Sequence, residues 1–224
     1  MIGNATSKIR DCMLAEPGRK WLILGKGPTS DLVGRLTLSD YFVVTLNHAC
    51  KLVRSTFAHF TDLEAFDDCC DHVKTSADAV IMPWHPHLGM KPSLMTLSDY
   101  TRPSAGSGYR PALAWFATGD RLFSYNSSLA HKLERCDKFP TIRVRYFSAV
   151  AAFNLLAYAG VRHVYSLGVD GGTAYGKAFD RKDRLANGRE SFDIQFREIA
   201  LTCKHTGVVY TNLAATPLHQ EGDV

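Results

Sequence analysis

Long uncharged runs are missing from this chain, as are paired cysteines and blocks of like charge. No charge-free stretch reaches the roughly 18 residues that span a bilayer, and Met1 to Glu16 holds no apolar core of signal-peptide length. A cytoplasmic, reduced protein without a transmembrane segment is therefore expected. The six cysteines, Cys12, Cys50, Cys69, Cys70, Cys136 and Cys203, include no Cys-x-x-Cys pair and no zinc-like spacing with histidine. That excludes a metal knuckle and predicts buried free thiols. The net charge is only +4, and lysine and arginine do not cluster as they do in duplex-binding modules, so no nucleic-acid partner is expected. The most basic segment, Arg181-Lys182-Asp183-Arg184, contains an acid and reads as a solvated loop, with a phosphate-facing flap as the sharper alternative. Repeats and low-complexity tracts are lacking too.

What is present is ordinary globular composition, 46% apolar and 21% charged over 224 residues, enough to bury the core of one domain spanning 1–224. Trp21-Leu22-Ile23-Leu24 is a continuous apolar run that stops at glycine, as a strand buried on both faces of a parallel sheet does. A short helix over Ser30 to Leu38 and a second strand, Phe42 to Leu46, complete a βαβ unit. Further strands are predicted at Thr56 to Phe60, Ala79 to Met82, Arg121 to Tyr125, Val161 to Leu167 and Val208 to Tyr210. Ser148 is placed as N-cap of a buried helix over 149–159 that Gly160 ends. A last helix carries Phe192, Phe196, Ile199, Ala200 and Cys203 on one stripe. Between Pro83 and Pro111, Pro86, Pro92 and Pro103 with Gly89, Gly106 and Gly108 predict a long irregular insertion, an acceptor-side lid. The alternation implies an α/β, Rossmann-like fold: a mostly parallel sheet with helices on both faces and a Pro-rich insertion.

The turn Gly25-Lys26-Gly27-Pro28-Thr29 after the first strand is where a backbone folds tightly enough to offer N–H groups to an anion at the start of the next helix. A dinucleotide site would want a third glycine and an acid after the second strand, where this chain has Ser30 and Asn47. A P-loop would want Gly-Lys-Ser/Thr, whereas Lys26 sits between the two glycines. Asn47 both donates and accepts, so it suits a base or a hydroxyl. Its competing role is a turn cap. Gly168-Val169-Asp170-Gly171-Gly172 ends a later parallel strand, again where open α/β sheets bind ligands.

The order Ile23-Leu24-Gly25-Lys26-Gly27-Pro28-Thr29, Leu46-Asn47-His48, Phe147-Ser148-Ala149, Ser166-Leu167-Gly168-Val169-Asp170, Ala178-Phe179-Asp180 and Asn212-Leu213 resembles the family-42 bacterial sialyltransferases. That resemblance implies a metal-independent enzyme, with no cofactor, moving sialic acid from a CMP donor to an oligosaccharide acceptor. It implies that Gly25, Lys26, Gly27, Pro28 and Thr29 lie at the CMP phosphate and ribose, that Asn47 contacts the nucleotide, and that Ser148 lies near the donor carboxylate. Gly168 and Asp170 would border the cytidine, and Tyr175 would help the phosphate depart. Homo-oligomers are expected, and peripheral membrane association stays open. Two positions depart from the family: an earlier tyrosine falls on Gly172, and the general-base histidine falls near Gly188 with no histidine close by.

Other bases come from His59 and Asp62, at the end of the third strand. Thr61-Asp62-Leu63-Glu64 also resembles, more weakly, the hydroxymethylpterin pyrophosphokinase and motility-accessory glycosyltransferase family, in which acids at this place hold a metal. Asp62 and Glu64, with Asp170, would then bind magnesium. A helix N-cap is the plain reading of Asp62, and a core histidine that of His59. His85 and His87 are placed in a surface loop. Three readings stay open: a glycosyltransferase, a magnesium-dependent nucleotide-phosphate transferase, and a non-catalytic nucleotide-binding protein.

Overall fold

The structure is a computed structural model that describes residues 1–145, 147–179 and 191–215. In chain order the strands are β1 (Gly3–Asn4), β2 (Lys20–Leu24), β3 (Tyr41–Leu46), β4 (Ser55–His59), β5 (Ala77–Pro83), β6 (His87–Leu88), β7 (Lys91–Pro92), β8 (Leu122–Ser127), β9 (Thr141–Ile142), β10 (His163–Leu167) and β11 (Val209–Asn212). The α-helices are α1 (Ala5–Ala15), α2 (Leu63–Asp67), α3 (Cys70–Ser76), α4 (Leu97–Tyr100), α5 (Pro111–Thr118), α6 (Ser148–Ala159) and α7 (Ile194–Thr206). Nine strands form one sheet in the order β1-β8-β5-β4-β3-β2-β10-β11, with β9 added to β8, and every pairing in it is parallel.

The apolar runs fill both faces because side chains alternate along a strand. Trp21 and Ile23 join Phe42, Val44, Phe57 and Ile81 beneath α1, α6 and α7. Their neighbours Leu22 and Leu24 turn the other way, onto Val43 and the turn residues Leu32, Val33 and Leu36. Farther along the same face Phe60, Val80 and Met82 pack on Leu63, Phe66, Val73, Leu113 and Phe116. Helix α6 is buried along most of its length. Its Phe153, fully enclosed, contributes about 1.5–3 kcal/mol of burial alone.

Winding direction decides where a ligand can go. From β2 the chain adds β3, β4, β5 and β8 on one side, and α6 then carries it back to β10 on the other side of β2. The winding therefore reverses between β2 and β10, which places a crevice at this sheet edge.

Several sequence expectations change. Residues Pro28–Arg35 form a 3-10 helix in place of the expected helix over Ser30 to Leu38, and Gly34 weakens its propagation. Ser148 is the first helical residue of α6 and the uncapped Phe147 precedes it, so Ser148 is not the N-cap. Only Ile199 of the expected stripe on the last helix is fully buried; Gln195 and Glu198 accompany it. The Pro-rich segment is not irregular throughout. It contains the hairpin β6–β7, a Thr96/Asp99 capping box that starts α4, and Pro111 at the first turn of α5. Helix α1 was not foreseen, although Asn4 caps it by accepting from the amides of Thr6 and Ser7. None of the six cysteines forms a disulfide, and only Cys50 and Cys69 are fully buried. No helix among the described residues is long and apolar enough to cross a membrane. The segment Arg181-Lys182-Asp183-Arg184, Asp180 and Gly188 lie outside the described residues.

Candidate functional site

The floor of the crevice is made where two loops cross. Gly25 N donates to Leu167 O at 2.9 Å and Gly27 N to Gly168 O at 2.8 Å. A side-chain carbon on Gly25 would lie 2.2 Å from Gly168 O, and one on Gly168, whose φ is +67°, would lie 2.4 Å from Gly25 O. Both positions must be glycine for the backbones to meet.

Asp170 then occupies the place expected for an anion. Its carboxylate accepts from Thr29 N at 2.8 Å and from Thr29 Oγ1 at 2.7 Å, while Thr29 Oγ1 accepts from Gly168 N at 2.8 Å. A carbon on Gly27 would fall 2.4 Å from Asp170 Oδ2. The amides of Gly25, Gly27 and Thr29 are thus committed to protein acceptors, and Ser30 N returns to Gly27 O. The expectation that this turn cradles a phosphate through free amides is corrected: its glycines serve the loop crossing. Pro28 opens the 3-10 turn, and neither it nor Thr29 lines the cleft.

The cleft itself has a volume of about 900 Å³ and is lined by Gly25, Lys26, Gly27, Asn47, Asp62, Ser148, Gly168, Asp170 and Tyr175, among others. Such a volume lies in the range of small-molecule and cofactor sites. Sequence positions far apart are brought together because β2, β3, β4 and β10 all end at this edge and α6 starts there.

One wall is a directed chain of hydrogen bonds. Asn47 Nδ2 donates to Ser148 Oγ at 3.3 Å, Ser148 Oγ and Thr61 Oγ1 are 2.8 Å apart, and Thr61 Oγ1 donates to Asp62 Oδ2 at 2.8 Å. Since Thr61 has a single hydroxyl proton and gives it to the carboxylate, Ser148 is the donor to Thr61. The other oxygen, Asp62 Oδ1, lies 3.5 Å from His87 Nδ1. Burial pushes the Asp62 carboxyl up, but hydrogen bonds from His87 and Thr61 outweigh it and hold the group below its ordinary value. Asn47 is held with φ +49°, and its Oδ1 is buried without a partner.

Tyr175 and Lys26 form the opposite lip, the ammonium 4.6 Å from the ring centroid. Gly176 N donates to Lys26 O at 2.7 Å, and Gln195 Nε2 to Asp170 O at 2.7 Å, which ties the 168–179 loop to both neighbours. Arg145 also lines the cleft, its Nη1 3.2 Å from Glu198 Oε1. The Glu198 side chain is 5% exposed and is paired by Arg145 and, at 3.8 Å, by Arg143, as a buried charge requires. At the mouth His48 faces Asp68 at 3.4 Å. Its pKa is lowered by burial first and by Lys26 second.

Three expectations fail here. His59 is fully buried, bonded through Nε2 to Tyr125 Oη at 3.0 Å, and does not line the cleft; burial lowers its pKa to about 4. It is a core residue and not a base in contact with substrate. The acids nominated for magnesium do not converge: Asp62 faces Thr61 and His87, Glu64 accepts from Gly89 N at 2.7 Å, and Asp170 holds Thr29. No group of three or more His, Cys, Asp or Glu among the described residues could hold a metal ion. His85 and His87 are not loop-surface residues. His85 is 4% exposed with its ring nitrogens against Ser93 O and Glu134 O, and His87 lines the cleft. Sequence reasoning missed His48, Arg145 and Gln195 as well; nothing local distinguishes them, since only the sheet order brings them to this edge.

No protein-family model matches the chain, and no curated protein matches it. Among solved structures, the sialyltransferase CstII from Campylobacter jejuni in complex with the substrate analogue CMP-3FNeuAc is similar to it at 12% identity and a TM-score of 0.47, over 88% of this chain and 82% of that one. A second structure, of the sialyltransferase CST-II with a trisaccharide acceptor and CMP, is similar at 13% identity and a TM-score of 0.46, over the same shares.

Proposed function

We propose that this chain is an inverting glycosyltransferase that moves an acidic, sialic-acid-like sugar from a CMP donor to a hydroxyl of a glycan. The observation that carries this reading is that Asn47, Ser148, Gly168, Asp170 and Tyr175, drawn from motifs whose order resembles one transferase family, share a single cleft at the switch point of the sheet. The nucleotide lies between the crossed loops and β3, where the unpartnered Asn47 Oδ1 accepts from an amino or hydroxyl group. The sugar carboxylate faces the start of α6 beside Ser148, where the first amides of the helix favour negative charge. Breaking the bond from sugar to phosphate builds charge on the leaving oxygen, and Tyr175 with Lys26 meets it.

Calorimetric titration of CMP, CDP, GDP, UDP and ATP, with magnesium and with EDTA, tests the reading. CMP binding that survives EDTA is expected, and Asn47→Ala should weaken it about tenfold, the loss of one hydrogen bond to a buried group. A magnesium-dependent ATP signal, or CMP affinity unchanged in Asn47→Ala, defeats it.

A further inference from the structure

We infer that His87 is the general base that activates the acceptor hydroxyl, and that Asp62 is its positioning residue. This rests on the transferase reading, and it supplies the group that the sequence lacks near Gly188.

The hairpin carries the imidazole to the cleft by backbone bonds. His87 N donates to Thr61 O at 2.7 Å, and residues 62 and 87 form a parallel bridge. Glu64 Oε1 accepts from Gly89 N at the tip. The turn itself, Gly89 at φ +57° and Met90 at φ +65°, is the two-residue type that matches strand twist. Held this way, Nδ1 faces the Asp62 carboxylate at 3.5 Å, a separation that tightens once a substrate is bound. A carboxylate at Nδ1 selects the tautomer with its proton there and leaves Nε2 as acceptor. Among the described residues Nε2 has no protein partner.

Position fits the reaction. Hydrogen bonds run from Asn47 through Ser148 and Thr61 to Asp62, with His87 3.5 Å beyond it, and His87 lines the same cleft as Tyr175 and Lys26, so the base is placed next to the sugar end of the donor. In the transfer step the acceptor oxygen forms a bond to the anomeric carbon as its proton passes to Nε2 of His87. The bond from that carbon to the phosphate oxygen breaks, and CMP leaves with the electron pair. Asp62 stays ionised and stabilises the imidazolium that forms. His59 is enclosed, and His48 turns Nε2 to Asp68 while its Nδ1 is buried, so neither offers a second ring nitrogen to an acceptor in the cleft.

The test is CMP release from CMP-sialic acid in the presence of an oligosaccharide acceptor, measured beside CMP affinity. His87→Gln is expected to lose at least a hundredfold in kcat, the size of a general-base contribution, with CMP affinity within twofold of the wild type. Added imidazole should restore part of the rate in His87→Ala. Asp62→Asn should lower kcat tenfold or more while leaving the donor KM unchanged, which a merely structural defect would not do. Wild-type turnover with His87→Gln within fivefold of it overturns the base and leaves the transferase reading standing. A wild type that binds CMP but never releases it from the donor removes the base and leaves a nucleotide-binding protein. A wild type that binds no CMP defeats the transferase reading itself, and the base with it.

Discussion

Asp170 answers the need of a strand-to-helix turn from within the chain. Its carboxylate takes the amide and hydroxyl protons of Thr29, much as a helix cap satisfies first-turn donors. Asp170→Ala is expected to cost about 1–2 kcal/mol, seen as a fall of roughly 2–8 °C in Tm for a chain of this size. An unchanged melting curve would show that the Thr29 contact contributes nothing. This is also the residue at which the sequence misleads. Gly25-Lys26-Gly27-Pro28-Thr29 and Asp170 were both legible as site positions, but a one-dimensional pattern cannot say that the acid closes on the turn. Free amides and amides bonded to a carboxylate 141 positions away have the same local signature. His87 was obscured for a similar reason: its Pro-rich surroundings suggested a loop, and its partner Asp62 lies 25 residues earlier, across an isolated parallel bridge.

At the scale of elements, the strands buried on both faces were readable because continuous apolar runs have few other uses. Short elements were not, since a two-strand hairpin and a four-residue helix leave no periodicity to count. The β6–β7 turn shows what replaced it: two consecutive residues with positive φ, one of them Met90 at +65°. A side chain held in that region costs about 1–2 kcal/mol. Met90→Gly is therefore expected to raise Tm by roughly 2–8 °C without altering the pairing of His87 with Pro92. A drop in Tm would mean that the half-exposed Met90 side chain, 58% accessible, contributes more than the turn strain costs.

Across the whole molecule the buried imidazole sets an acid limit. His59 has its pKa lowered to about 4 by burial, against an ordinary value of 6.5. The unfolded chain thus takes up a proton that the native chain refuses as pH falls through this window. Stability is full above pH 6.5 and is lost progressively down to about 4, by on the order of 2–3 kcal/mol. His48, lowered in the same direction, adds to the slope, and the Asp62 carboxyl, held low by its partners, contributes its own loss only below the ordinary carboxylate range. Urea midpoints between pH 7 and 4.5 should fall steadily for the wild type and less steeply for His59→Gln; parallel slopes would assign the acid sensitivity elsewhere.

The crossing of the loops at Gly25 and Gly168 also orders events during synthesis. Strands β2 to β8 can pair as they leave the ribosome, because each new strand joins the previous one or a neighbour already in place. The floor beneath the ligand, however, is half made by the loop after β10, which emerges late. A nascent chain is accordingly a sheet with an open trough, unable to hold a nucleotide until its closing strands arrive and the two backbones lock.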